Sequence, residues 1–215
     1  TQGKATVFGL DSHKQSLEIR RDIGYLPGEL SLYDGMSGIE FLRYSSNLRG
    51  GSTSYSGFEI AERLSCDLAR PIRDLSHGNK QKLGLIQAFM HRPRLIILDE
   101  PSQGLDPLVQ REFYTMVDEV KQDGRTVFLS SHVLPEAERV CDRVGFIRDG
   151  KMIAVESIED MKARALRYIE VQFDDHVPVD AINSIKEVKD LSADGNTLRF
   201  AVEGSMDSVI KAISQ

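Results

Sequence analysis

The run Leu95-Ile96-Ile97-Leu98-Asp99-Glu100-Pro101 constrains this chain more than any other stretch. It is continuously apolar, too short for a helix, and ends in two carboxylates and a proline. That pattern reads as a strand buried on both faces of a parallel sheet. Ligands of such sheets gather at the carboxyl ends of the strands, so the acidic tip is expected to open onto a site and the chain to fold as an α/β protein.

The neighbouring segments support that reading. Asp106 and Pro107 form a helix cap and first-turn pair, and Val109, Phe113, Met116, Val117 and Val120 share one helical face until Gly124 ends it. Thr126 to Ser130 reads as a strand and Pro135 to Cys141 as a helix. Val144 to Ile147 and Met152 to Val155 flank Asp149-Gly150, a hairpin signal. Upstream, Lys4 to Gly9 is β-rich, Leu10 to Arg21 holds a short helix, and Ile23 to Leu26 is a strand closed by Pro27 and Gly28. Ser37 and Glu40 form a capping box ahead of Phe41 and Leu42. Gly50 to Ser56 is expected as a loop. Phe58 to Leu68 and Asn79 to His91 are expected as helices, joined by the loop Ala69 to Gly78.

Past about Lys162 the pattern changes. Ile169, Val171 and Phe173 alternate with polar residues, and Ala181, Ile182 and Ile185 suit a helix. Two strands flank Asp194-Gly195, and Met206, Val209, Ile210 and Ile213 suit a closing helix. The expected division is therefore an α/β domain over residues 1–160, with a helical subdomain near 37–91, and a β-α-β-β-α module over 161–215.

The net charge of −6 and pI near 5.4 come from interleaved acids and bases. Without a basic stripe to neutralise phosphates, nucleic acid is excluded as a partner. Cys66 and Cys141 lack metal or redox spacing and are expected as buried packing residues in a reducing compartment. No apolar run approaches the ~20 residues that span a bilayer, and the first ten residues lack the apolar stretch of a secretion signal. Membrane work would pass through partners.

Three groups carry chemistry. Asp99 and Glu100 offer hard oxygen ligands for Mg²⁺ and a carboxylate that orients or deprotonates water. Leu75-Ser76-His77-Gly78-Asn79-Lys80-Gln81 sets a hydroxyl and a glycine just before a helix N-terminus, an anion-binding arrangement. Ser130-Ser131-His132 follows the next strand.

Together with Ser102-Gln103-Gly104-Leu105-Asp106, these motifs stand in the order of the ATP-binding cassette family, which the chain resembles from about Gly3 to Glu156. Leu75 to Asn79 resembles the signature, the Leu95 run the Walker B strand, Ser102 to Asp106 the D-loop and His132 the switch histidine. The resemblance implies a P-loop NTPase-type ATPase domain with a helical subdomain. Its cofactors would be ATP and Mg²⁺. Asp99 would hold the metal and Glu100 activate water, while His132 reaches the γ-phosphate. Ser76, His77, Gly78 and Asn79 would serve nucleotide held on a second copy, and Asp106 would bridge the copies of a head-to-tail homodimer. The terminal module resembles that of the drug- and antibiotic-exporting branch. This implies permease partners, export, and a peripheral place on the cytoplasmic face of the membrane.

Three departures stand out. Gly-x-x-x-x-Gly-Lys-Ser/Thr, the Walker A pattern, occurs nowhere, so the chain is expected to be truncated at its N-terminal side. Losing three charge-assisted bonds of ~1.5–3 kcal/mol each costs ~4.5 kcal/mol or more, about a thousandfold in affinity, so the chain alone is expected to be inactive. Gly28 stands where the Q-loop glutamine belongs, followed by Glu29. His77 and Asn79 replace glycine and glutamine in the signature. The alternative is a non-catalytic interaction or regulatory module, in which Glu100, His132 and Asp106 would be idle.

Overall fold

A computed structural model describes residues 3–51, 54–164, 166–174, 179–203 and 209–211, and its contacts group the chain into two compact units, Thr1–Val140 and Cys141–Gln215. The boundary falls ahead of residue 160 because the hairpin after Cys141 is counted with the second unit.

In the first unit, a small antiparallel pair, β1 (Thr6–Val7) and β2 (Leu10–Asp11), precedes α1 (Ser16–Arg21) and strand β3 (Ile23–Leu26). Helix α2 (Gly38–Leu48) begins at the expected capping box, with Ser37 and Glu40 satisfying each other's backbone N–H groups. Helix α3 (Ser54–Arg63) starts earlier than expected and takes in the end of the supposed Gly50–Ser56 loop. A short 3-10 turn (Ile72–Asp74) leads to α4 (His77–Phe89), capped by Ser76. Strand β4 (Leu95–Asp99), α5 (Pro107–Gln122), β5 (Thr126–Ser130) and α6 (Leu134–Val140) complete the unit.

The sheet is parallel, in the order β3-β4-β5, with Leu26 opposite Leu98 and Asp99 opposite Ser130. Helix α4 presses onto β3 at Gly24, where any Cβ would overlap the Ala88 carbonyl, and Gly84 faces Leu26 and Leu30. Only glycine allows an approach this close. Helix α5 buries the five expected residues, Val109, Phe113, Met116, Val117 and Val120, with Phe113 edge-on to Phe89 of α4. Each such side chain contributes about 1.5–3 kcal/mol on burial.

One expectation for β4 fails. Ile96 and Leu98 are buried, but Leu95 and Ile97 are only half-buried, and in register with Ile97 stand Tyr25 and Phe128 with 55% and 66% of their surface exposed. The sheet is covered on one face; among the described residues the other stays open. A continuous apolar run does not reveal which of its faces is covered. Cys66 and Cys141 are likewise half-buried rather than buried.

The second unit holds the hairpin β6 (Arg143–Arg148) and β7 (Lys151–Ser157), α7 (Ile158–Arg164), and a sheet in the order β8-β10-β9 formed by β8 (Leu166–Gln172), β9 (Val188–Asp194) and β10 (Thr197–Glu203). Asp149 and Gly150 turn the hairpin with positive φ at both positions (48° and 72°), as a two-residue primed turn requires. Helix α8 (Val179–Asn183) supplies Ile182 to a core with Leu198, Phe200, Val202 and Val209. The turn between β9 and β10 is Gly195-Asn196, one residue later than expected. Residues 209–211 are helical, and the rest of the expected closing helix, Met206 to Ile213, lies outside the described residues.

Candidate functional site

Strand β4 delivers its two carboxylates to the carboxyl edge of the sheet. Asp99 is its exposed last residue, and the Ser130 hydroxyl, opposite it in register, donates to Asp99 Oδ1. Glu100 turns into the left-handed region at φ 47°, a conformation that costs a non-glycine residue on the order of 1–3 kcal/mol and persists only where the surroundings enforce it. Two restraints are visible. The Glu100 N–H donates to the Ser130 carbonyl at 3.2 Å, and Gln81 Nε2 of α4 donates to the Glu100 and Pro101 carbonyls at 3.1 and 3.2 Å.

Gln81 is 2% exposed, and the sequence reading gave it no role. Its only signal was a polar residue on the apolar face of a helix. A buried amide is kept where it satisfies other buried polar groups, and here it fixes the turn that aims Glu100.

Glu100 Oε2 lies 2.9 Å from His132 Nδ1. The hydrogen bond that His132 donates to Glu100, together with the Glu100 charge, raises the His132 pKa above the ordinary imidazole value. The segment carrying His132 is pinned from its other side: the Ser131 hydroxyl donates to Oε2 of the buried Glu136 at 2.6 Å and accepts from Val133 N–H at 3.0 Å. Gly28 arrives at the same place, since a Cβ there would stand 2.8 Å from Asp99 Oδ2. Glu29 beside it is exposed. Strand ends thus gather Gly28, Asp99, Glu100, Ser130 and His132 at one pole.

A second pole forms at the start of α4. Ser76 caps the helix, accepting from Asn79 N–H at 3.3 Å and from Asn79 Nδ2 at 3.1 Å, and Ser76 and His77 are exposed. Gly78 packs directly on the Gly104 carbonyl, and a Cβ on Gly104 would meet the His77 ring. The glycine of this motif is therefore required by an internal contact. Asp106 caps α5 through Leu108 and Val109 N–H at 3.1 and 3.0 Å, and stands 3.9 Å from Lys82 Nζ. The Val109 N–H above all, with Lys82, holds its carboxyl below the usual range. Among the described residues, no hydrogen bond or ion pair joins Ser76 or His77 to Asp99, Glu100 or His132.

The carboxylate pole suits a small hard cation. Asp99 is exposed, and the missing Cβ of Gly28 leaves room beside its second oxygen. Magnesium commonly keeps several waters and takes one or two protein carboxylates plus phosphate oxygens. That suits a site where no three His, Cys, Asp or Glu residues cluster among the described residues. Bound there, the metal would polarise water and phosphate oxygens, while Glu100 would accept the water's proton.

Comparison with known proteins places these features in context. A family model described as "AAA domain, putative AbiEii toxin, Type IV TA system" matches residues 23–135. The chain is 35% identical over 170 residues to the probable multidrug ABC transporter ATP-binding protein YbhF of Escherichia coli, covering 77% of this chain and 29% of YbhF. It is 34% identical over 184 residues to the ABC transporter ATP-binding protein NatA of Bacillus subtilis, covering 79% of this chain and 73% of NatA. A solved ATP binding subunit of an ABC transporter superposes with a TM-score of 0.70 at 28% identity, over 75% of this chain and 69% of that one.

Proposed function

Since the chain belongs to the ATP-binding proteins of ABC transporters, we propose that it supplies the hydrolytic half of an ATP site that energises export through separate membrane permease subunits. The observation that carries this reading is the strained Glu100 turn with its carboxylate 2.9 Å from His132, beside Asp99. Asp99 holds Mg²⁺, Glu100 takes the proton of the attacking water, and His132 steadies Glu100 and contacts the γ-phosphate. None of these side chains binds the nucleotide base or the α- and β-phosphates, and Walker A is absent from the 215 residues. A polypeptide of these residues alone is therefore inactive.

Ser76, His77, Gly78 and Asn79 serve ATP held on a second copy, with Asp106 at the junction. Supporting this is the separation of the two poles, since the helix pole has an exposed hydroxyl and no partner within its own carboxylate pole. The membrane subunits dock near the Gly28 segment and α2, and the protein works on the cytoplasmic face. Residues 161–215 act as the accessory module of the exporting branch. The test is ATP hydrolysis by the intact gene product: Glu100→Gln must remove turnover while leaving ATP binding in place. Turnover at the parent rate in that variant would refute the reading.

A further inference from the structure

Helix α4 carries a buried cation that the chemistry of neither pole uses. Lys82 is 9% exposed, next to Leu83, Leu85 and Ile86 of the same helix, which are fully buried. A lysine this deep is rare without a partner, because its ammonium loses hydration on burial. Two groups face it. The Ser65 carbonyl, just past α3 where the chain turns left-handed at φ 50°, accepts from Nζ at 3.4 Å, and Asp106 Oδ2 stands 3.9 Å away. Cys66 is a neighbour too, but burial pushes its thiol up to about 11, so it offers no counter-charge at neutral pH. Among the described residues, Asp106 is the carboxylate that pairs with Lys82.

Asp106 divides its two oxygens. Oδ1 accepts from Leu108 and Val109 N–H and is committed to the cap of α5, while Oδ2 faces Lys82. Asparagine and serine cap a helix as well as aspartate does, so the cap alone does not call for a charge here. The Asp106 side chain is still 55% exposed, which gives the pair a buried half and an open half. At 3.9 Å the ion pair is too long for a hydrogen bond, so the carboxylate is steered by the charge behind it and stays free to accept from in front. Lys82 also belongs to a row. Gly78, Gln81 and Lys82 lie at three- and four-residue spacing on α4 and touch one stretch of chain: Gln81 at Glu100 and Pro101, Gly78 at Gly104, Lys82 at Asp106.

We infer that Lys82 is a positioning residue for the contact between two copies: its ammonium sets the direction of the Asp106 carboxylate, and thereby how tightly the copies join around ATP. The inference rests on the reading that places Asp106 at the junction. Lys82 acts only through Asp106. A lysine kept for its aliphatic stem would be replaceable by a neutral side chain without loss, since such a side chain escapes the desolvation of the charge.

The test uses the intact gene product carrying Glu100→Gln, so that ATP is held without turnover, and follows association by sedimentation at saturating ATP and Mg²⁺. Lys82→Gln removes the charge but keeps a donor for the Ser65 carbonyl, and Lys82→Met keeps only the stem. Each should weaken ATP-dependent association ~5-fold or more, within the range for coupled neighbouring groups, while the ATP affinity of a single copy stays at the parent value. Asp106→Asn, which preserves the cap, should weaken association as much, and adding Lys82→Gln to it should weaken it no further. Parent-level association in both Lys82 variants overturns the inference. So does a double variant in which the two losses add, or full association in Lys82→Gln with loss in Lys82→Met, which assigns Lys82 to packing. The two levels separate at Asp106. If Asp106→Asn associates like the parent, the junction reading falls and takes the inference with it. If Asp106→Asn loses association while both Lys82 variants keep it, the junction reading stands and the role of Lys82 alone falls.

Discussion

The two poles of the first unit share a helix but differ in how far each is completed by its own chain. At the strand ends every functional group has an internal partner. Ser130 holds Asp99, His132 faces Glu100, Gln81 braces the Glu100 turn, and Glu136 secures Ser131. At the start of α4, the Ser76 hydroxyl bonds only Asn79 among the described residues, and Ser76 stays exposed. A pole closed on itself is preorganised for chemistry, where geometry must be held to a fraction of an ångström. An open pole of backbone N–H groups and a hydroxyl suits recognition of an anion brought from outside.

That contrast is sharpest at Glu100. In the intact gene product, Glu100→Gln should lower ATP turnover by ~10²–10⁴-fold, the range of a lost general base, with nucleotide affinity nearly unchanged. Ser76→Ala should instead act on recognition, lowering turnover most where dimer formation limits it. A fall in turnover equal to that of Glu100→Gln, with unaltered dimerisation, would erase the distinction between the poles.

Stability measurements sharpen it next. Gln81→Leu removes both bonds to the strained turn and leaves two carbonyls without their donor, so it should cost about 1–3 kcal/mol in urea unfolding and slow turnover as well. Gly78→Ala should destabilise by a similar ~1–3 kcal/mol, because a methyl there must push α4 from the Gly104 carbonyl. Loss of the Ser76 cap in Ser76→Ala should cost only about 1 kcal/mol. A larger loss at Ser76 than at Gln81 would contradict the view that the strand-end pole is the more tightly built.

The smallest effect concerns pH. His132 has its folded pKa raised by Glu100, so any stability it lends is full below its unfolded value of about 6.5 and fades as pH rises through the folded value. Because His132 is largely exposed, His132→Gln should flatten the pH dependence of stability only slightly. On the proposed mechanism it should also shift the acid limb of the turnover profile, since a protonated His132 would compete for the carboxylate proposed to accept the proton. An unchanged acid limb would remove His132 from the catalytic pair.

Much of this was legible in the residues themselves. The Ser37–Glu40 box, the Asp106 cap and the Asp149-Gly150 turn are local agreements between side chain and backbone, and each of these three formed where it was expected. The Asp99-Glu100 tip was readable for the same reason: strand length and apolar continuity depend on neighbours in sequence. Gln81 was not readable as a brace, nor Lys82 as the partner of Asp106. Gln81 reaches a carbonyl 19 residues away and Lys82 a carboxylate further still, and no local pattern announces such pairs.

Sequence alone thus determined the order of elements, the presence of two carboxylates at a strand tip and the capping residues of α2 and α5, because these follow from short-range sterics and hydrogen bonding. Tertiary structure decided which face of β4 is covered, that Gly78 is spent on Gly104, that Gly28 meets Asp99, and that Lys82 faces Asp106. Those outcomes depend on how helices settle on a sheet, and packing joins residues that are remote in the chain.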